Sequence, residues 1–495
     1  LKLHLISQQD AIPGSATIII PVQPEELNSL DHLHQIYQFT GHQKLMELIK
    51  KGKGKHAIVF QGETTDARTY ILFNASATSQ NGMNQMCIEV LKSYSDQILG
   101  QIGIDLRFTN SHSNMEIDTA ILRAIFLSDH SVGKYKTTDV ISAKVVDELF
   151  VISQDQSGME EKFQRALAAS ATIKSCMTLV NEPSNYKSPQ DIADWMVNSG
   201  KEHGFEVEVL DKKMLEAQGF HALLSVNRGS EKPARCIIAR YHGNKSQDAP
   251  IIGLVGKGVT FDTGGMSIKP SNNMHYMKSD MGGAAAVMGA IELVAKLKLP
   301  VNVFGILPCT DNSVDSLATK PGDVINSYKG STIEVIDTDA EGRLILADGL
   351  NYAVRNLKPD YLVDLATLTG SVVRSLGSHA AGLMTNSEFM ADSLTQAGHE
   401  SGERVWRLPL WEDYFQYMCS DIADIKNLSD KPMAGAITAG KFLEHFTDEH
   451  PNWAHLDIAG TAFGSSPFSK GYSASGFGIL LLLSWIEIIN QNHPS

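Results

Sequence analysis

Two short runs of sequence restrict this chain more tightly than anything else in it. Residues 254–283 read Leu-Val-Gly-Lys-Gly-Val-Thr-Phe-Asp-Thr-Gly-Gly, then Ser-Ile-Lys-Pro, then Met-Lys-Ser-Asp-Met-Gly-Gly; residues 336–344 read Ile-Asp-Thr-Asp-Ala-Glu-Gly-Arg-Leu. Together they hold five carboxylates and four cationic side chains. Each run follows an apolar, β-branched stretch and leads into a helix-like one. Strands alternating with helices predict a mainly parallel sheet covered on both faces. In such sheets ligands gather beyond the carboxyl ends of the strands, which puts both charged runs on one rim.

The same alternation organises the rest of the chain. Residues 206–210, 235–241, 250–255, 301–307, 333–336 and 361–366 read as strands, and residues 282–297 and 340–356 as helices. Ser188 before Pro189 reads as a helix cap followed by its first turn. Upstream, residues 16–22, 56–60 and 69–73 read as strands, and residues 83–99 and 117–127 as helices. At 495 residues the chain exceeds one ordinary core. The predicted division is a smaller N-terminal α/β domain over 1–155, a connecting helix and turn over 156–185, and a larger α/β/α domain over 186–495 with a mixed, mainly parallel sheet. No cluster with ligand spacing occurs in the first domain, so its expected role is structural or oligomerising.

Composition narrows the class of function. A net charge of -14 argues against non-specific binding to nucleic acid or to an anionic membrane. The most apolar run, 479–485, is too short to span a bilayer. The five cysteines are dispersed with no C-x-x-C pair, which fits free thiols in a reducing compartment and not a thiolate metal site. The expectation is a soluble, cytoplasmic enzyme-sized protein.

The chemistry lies in Lys257, Asp262, Lys269, Asp280, Asp339, Glu341 and Arg343. If Asp262, Asp280, Asp339 and Glu341 converge, they cannot all stay ionised uncompensated. Either some are protonated or cations sit among them, and a pair of divalent ions would balance four charges, as in hydrolytic two-metal sites. Lys269 and Arg343 then remain as positive charge for a developing oxyanion or a bound anion. The plainer reading makes Asp339 the N-cap of the helix after it, Glu341 and Arg343 its first turn, and the rest solvated loop charges. Gly-Lys-Gly lacks the G-x-x-x-x-G-K-[ST] spacing, which removes a nucleotide site.

These runs, with Asn-Glu-Pro-Ser-Asn at 181–185, Thr-Lys-Pro-Gly-Asp-Val at 319–324, residues 364–370, Gly-Lys-Phe-Leu at 440–443 and Trp-Ala-His-Leu-Asp-Ile-Ala-Gly at 453–460, closely resemble the leucyl aminopeptidase (cytosol aminopeptidase) family of di-metal exopeptidases. The resemblance runs from about residue 160 nearly to the end. It implies one metal on Lys257, Asp262, Asp280 and Glu341 and another on Asp262, Asp339 and Glu341, as Zn²⁺ or Mn²⁺ with Mg²⁺ an alternative at one site. It implies Lys269 as the electrophile on the scissile carbonyl, and a bicarbonate held by Arg343 as base toward the attacking water. Met277, Thr367, Leu368 and Gly370 fall at substrate-pocket positions, although Met277 serves equally well as core. His275 and His455 are expected to be structural. The implied substrates are short peptides with a free N-terminus, preferably beginning with leucine or another apolar residue. The implied assembly is a homohexamer in the cytoplasm, and the implied first domain is macro-domain-like. Asp337 departs from the family's usual Asn, and 471–476 departs from its usual Gly-Ala-Thr-Gly type of run. A di-metal phosphatase or amidase and a DNA-binding role are the competing readings. No phosphate cradle favours the first, and the net charge opposes the second.

Overall fold

Runs of Ile, Val and Leu become buried strands wherever both of their faces are covered. In the computed structural model, which describes residues 2–6, 12–13, 16–22, 57–61, 69–74, 80–93, 100–106, 117–138, 146–153 and 158–493, these strands form two large sheets, with two small ones beside them. The chain divides into two compact units: Leu1–Ala171 with Pro467–Ser469, and Thr172–Ser466 with Lys470–Ser495.

The first unit holds β1 (Lys2–Ile6), β2 (Thr17–Val22), β3 (Ala57–Gln61), β4 (Thr69–Asn74), β5 (Gln101–Asp105) and β6 (Glu148–Ile152), in the sheet order β1-β6-β5-β2-β4-β3. All neighbours are parallel except β3 and β4. Ile18, Ile19, Ile20, Ile104 and Val151 are fully buried, so the central strands are apolar on both faces. The helix expected over 83–99 occupies Gln80–Ser93, and residues 94–99 lie outside the described residues, as does His56. The helix Ile117–Leu127 has its expected bounds.

In the second unit the strands in chain order are β7 (Glu206–Leu210), β8 (Arg235–His242), β9 (Ile251–Gly256), β10 (Gly258–Asp262), β11 (Asn302–Asn312), β12 (Val324–Asn326), β13 (Thr332–Glu334), β14 (Tyr361–Ala366), β15 (Ala381–Met384), β16 (Val405–Leu408), β17 (Ile425–Lys426), β18 (Trp453–Asp457), β19 (Phe463–Ser465) and β20 (Tyr472–Ala474). The main sheet runs β16-β15-β18-β14-β9-β11-β8-β7, with β10 beside β11. Its centre is parallel, and antiparallel pairs join β15 to β18, β11 to β8 and β8 to β7. Helices cover both faces. A Cβ on Gly305 of β11 would meet Ile291 and Val287 of helix Gly282–Lys296, whereas Pro308, three residues on, lies against Gly349 of helix Glu341–Tyr352. Both helices are buried nearly all round, so their sequences are apolar without a wet stripe. Helix Pro189–His203 has the predicted Ser188 cap, here a full capping box with Asp191.

Three expectations need correction. β11 extends five residues past Leu307 and ends at Asn312, where it pairs with Asp262. The strand expected over 333–336 is the shorter β13, and it belongs to a small side sheet, β12-β13-β17, not to the main sheet. Only Ile333 of its three residues is buried, so it has one covered face and no place in a sheet sandwiched by helices. The helix expected over 340–356 begins at Glu341 and, from Ala353 to Leu357, widens into a π-turn.

Candidate active site

The first charged run leaves the main sheet and the second arrives from the side sheet, and the hydroxyls of Thr338 and Ser267 lock them together through main-chain groups. Lys257 follows β9 directly; its N–H donates to the Leu365 carbonyl (3.0 Å) and its carbonyl accepts from Ala284 N (2.9 Å). Asp262 closes β10 after a bulge in the pairing with β11. Gly264 and Gly265 take left-handed φ values of 86° and 65°, which turns the chain back toward the second run. There Thr338 donates its hydroxyl to the Gly264 carbonyl (2.7 Å) and accepts from Ser267 N (2.8 Å). Lys269, on this loop, is held by its own N–H to Thr263 O (2.9 Å).

The side chains converge as a consequence. Lys257 Nζ lies 2.8 Å from Asp280, 2.9 Å from Glu341 and 2.9 Å from the Thr367 carbonyl. Lys269 Nζ lies 2.7 Å from Asp262 and also pairs with Asp339. Oxygen atoms of Asp262, Asp280 and Glu341, all buried, fall within 4.8 Å of one another. Gly342 is required beside them, because a Cβ there would sit 2.5 Å from the Lys257 Cε, whose tail is buried and ion-paired. Asp339 is not the helix cap. No side chain caps the helix at Ala340, because the Asp339 carboxylate turns to the Lys269 ammonium instead.

Crowding shows in the titration of the cluster. Burial, with Glu341 and Asp262 adding to it, holds Asp280 well above the usual carboxylate range despite Lys257. Burial and Asp262 likewise raise Glu341, and raise Asp339 to about 7. Burial alone would lower both lysines, but their carboxylate neighbours outweigh it and hold both ammonium groups above their usual range. Four carboxylates against two ammonium groups leave two carboxylates without a counter-charge in a site buried except on the side of Asp339 and Lys269. One buried oxygen, Glu341 Oε2, has no hydrogen-bond partner. A buried carboxylate oxygen without a donor, beside carboxylates resisting ionisation, fits a bound divalent cation, since oxygen donors of this kind suit hard or borderline metals.

Arg343 is buried, and burial pushes it down to about 10 despite Glu341, Asp457 and Asp337. One of its terminal nitrogens donates to the Asn427 carbonyl (2.8 Å), and its Nε is buried without a partner, which suits a small anion. Asp337 finds a plain role: its Oδ1 accepts from Asp339 N (2.8 Å), a bond that an Asn side chain could make equally. Thr367 donates its hydroxyl to Asp280 Oδ1 (2.7 Å), and Leu368 N donates to Asp457 (3.2 Å). Met277 is half-buried in the 3₁₀ turn Met274–Ser279 that leads to Asp280, and Gly370 opens a short helix on the surface. His455 is fully buried on β18, 2.6 Å from Asp364 of β14, and does not join the cluster. His275 is exposed against Tyr276.

Two residues that sequence reasoning missed organise the site. Asn312 donates to Asp262 (2.9 Å) and to the Thr338 carbonyl (3.0 Å). Asn427 accepts from Ile336 N (2.8 Å) and donates to Asp337 O (2.7 Å). Neither carries a local signal; only the end of β11 could have pointed to Asn312.

Residues 174–483 match the catalytic domain of the cytosol aminopeptidase family. The chain is 38% identical over 463 residues, 91% of its own length and 89% of the relative's, to a probable cytosol aminopeptidase of Rickettsia bellii. It is 49% identical over 331 residues to a probable cytosol aminopeptidase of Chlorobaculum tepidum, an alignment spanning 66% of this chain and 65% of that relative. Among solved structures it resembles the bottromycin maturation enzyme BotP in complex with Mn, with a TM-score of 0.81, 27% identity, and coverage of 96% of this chain and 99% of the other. The fold and site define a two-domain α/β protein with a carboxylate-rich cluster suited to divalent metal. The chain belongs to the cytosol aminopeptidase family.

Proposed function

We propose that this protein is a metal-dependent aminopeptidase that removes the N-terminal residue of short peptides. The observation that carries the reading is the convergence of Asp262, Asp280 and Glu341 within 4.8 Å, with Lys257 and Lys269 interleaved among them. Lys257, Asp262, Asp280 and Glu341 would hold one ion, and Asp262, Asp339 and Glu341 the other. When bound, such a pair supplies Lewis acidity for the carbonyl and lowers the pKa of water. Mn²⁺ is supported by the BotP relative, and Zn²⁺ by the resemblance alone, with Mg²⁺ an alternative at one site.

The chain's own residues do the rest. Lys269, less enclosed than Lys257, lies where its ammonium can donate to the scissile carbonyl oxygen as negative charge develops. Arg343 offers a buried, partly unpaired guanidinium to hold a bicarbonate, whose oxygen would accept the proton of the attacking water. Met277, Thr367, Leu368 and Gly370 border the place of the N-terminal side chain, and leucine or another apolar residue is the favoured occupant. Family membership supports homohexamer assembly in the cytoplasm, with the first unit serving that assembly. Among the described residues no helix is long and apolar enough to cross a membrane.

Chelation tests this reading. Hydrolysis of leucine anilide should disappear in chelator-treated, dialysed protein and return with Mn²⁺ or Zn²⁺. Full activity in protein with no metal by elemental analysis would contradict it.

A further inference from the structure

Three lysines outside the charged cluster converge on two turns. One turn spans 181–188 between helices Met159–Asn181 and Pro189–His203; the other is the 3₁₀ turn Met274–Ser279 that delivers Asp280. Lys187 is only 1% exposed, yet its ammonium reaches across to donate to the Lys278 carbonyl (2.6 Å) and also to the Val180 carbonyl (3.1 Å). Lys278 returns the contact, with its Nζ donating to the Asn181 carbonyl (2.7 Å). Lys232 braces the first turn from outside by donating to the Ser184 carbonyl (2.5 Å).

Burying a lysine amine is costly, and burial with Lys278 beside it pushes Lys187 down to about 7, so its place there depends on the carbonyls it reaches. Within itself the turn is held by the Ser279 hydroxyl on the Tyr276 carbonyl (2.7 Å) and by Tyr276 N on the Asn273 carbonyl (3.0 Å), and neither bond ties it to the 181–188 turn. Short 3₁₀ turns have poor hydrogen-bond geometry, and the bond closing this one, Asp280 N to Met277 O, is long at 3.4 Å. Asn273, which precedes the turn, is exposed and left-handed at φ 65°. The crossed Nζ-to-carbonyl bonds of Lys187 and Lys278 tie this turn to residues 180 and 181, which its own backbone bonds do not.

We propose that Lys187 and Lys278 are positioning residues, a reciprocal pair of straps that fixes the Met274–Ser279 turn and thereby sets Asp280 in place for metal binding. The inference rests on the metal reading above, and it assigns a role to side chains that touch neither metal nor substrate.

Calorimetric titration of the metal-free full chain with Mn²⁺ tests it. Lys187→Met and Lys278→Met should each weaken at least one Mn²⁺ site by roughly 10–100-fold, the usual effect of losing a residue that orients a ligand. Their circular dichroism should stay unchanged, and Lys278→Arg should keep the affinity. Lys296→Met, which removes a distant ion pair to Glu292, serves as the control and should lower thermal stability without moving the affinity. Lys278 is only half-buried, so its variants carry the test even if Lys187→Met fails to fold. Wild-type affinity in a folded Lys278→Met, with only the melting temperature lowered, would overturn the proposal. A wild-type chain that binds no Mn²⁺ at all would instead overturn the metal reading, and this inference with it.

Discussion

Asp337 and Lys269 both contact Asp339, but they do different work. Asp337 serves through one accepted bond from Asp339 N. Asp337→Asn should therefore leave Mn²⁺ affinity and stability nearly unchanged, whereas Asp337→Ala should cost about 1 kcal/mol; chemical denaturation of the three proteins decides. Equal losses in both variants would mean that the charge, not the bond, matters. Lys269 faces the open side of the cluster, and in the proposed reaction it stabilises charge present only in the transition state. Lys269→Ala should lower kcat by roughly 10²–10³-fold with metal content retained. Loss of metal in that variant would make Lys269 a structural counter-ion instead. At this scale much was legible: the seven charged residues and their glycines could be picked out because charge concentrated beside apolar strands is hard to explain otherwise. The direction of each side chain was not legible. Asp339 reads as a helix cap from sequence, and only the folded loop shows Lys269 within its reach.

Elements explain why. Strands with two apolar faces, such as β9 and β14, declare themselves by composition, and so do helices with sharp caps such as Pro189–His203. β13 does not, because a three-residue strand in a side sheet carries the same local pattern as the start of a core strand. The same holds for Asn427, which lies ninety residues in sequence from the main chain it organises. Its fully buried amide makes bonds to Ile336 N, Asp337 N and Asp337 O, so it is the clamp on the second charged run. Asn427→Ala strands half-buried N–H and carbonyl groups and should destabilise by about 1–3 kcal/mol. Chemical denaturation checks this, and a loss within experimental error of zero would mean the run holds its shape without the clamp.

For the molecule as a whole, a second buried charge pair sets a pH dependence independent of the cluster. Burial disfavours a charged imidazole at His455, but Asp364 outweighs it, so the folded protein holds that proton above the usual histidine value. A group whose pKa rises on folding contributes stability fully below about pH 6.5 and loses it as pH climbs through the folded value. The stability gap between wild type and His455→Asn, from urea unfolding, should therefore be widest in mild acid and narrow on the alkaline side. A gap that is constant across pH would contradict a charged pair.

The two units read from the sequence as two domains because one core cannot serve a chain of this length. What the larger unit adds is a rim on which a bulged strand, a 3₁₀ turn and the loop that follows a side sheet bring four carboxylates together. Every role proposed for these side chains follows from the cluster being a metal centre. Anomalous diffraction at the manganese edge from crystals grown with Mn²⁺ tests it most directly. A pair of peaks among Asp262, Asp280, Asp339 and Glu341 is the predicted result, with Lys257 turned from salt bridge to ligand. No peak there, with both lysines still paired to the carboxylates, would contradict it.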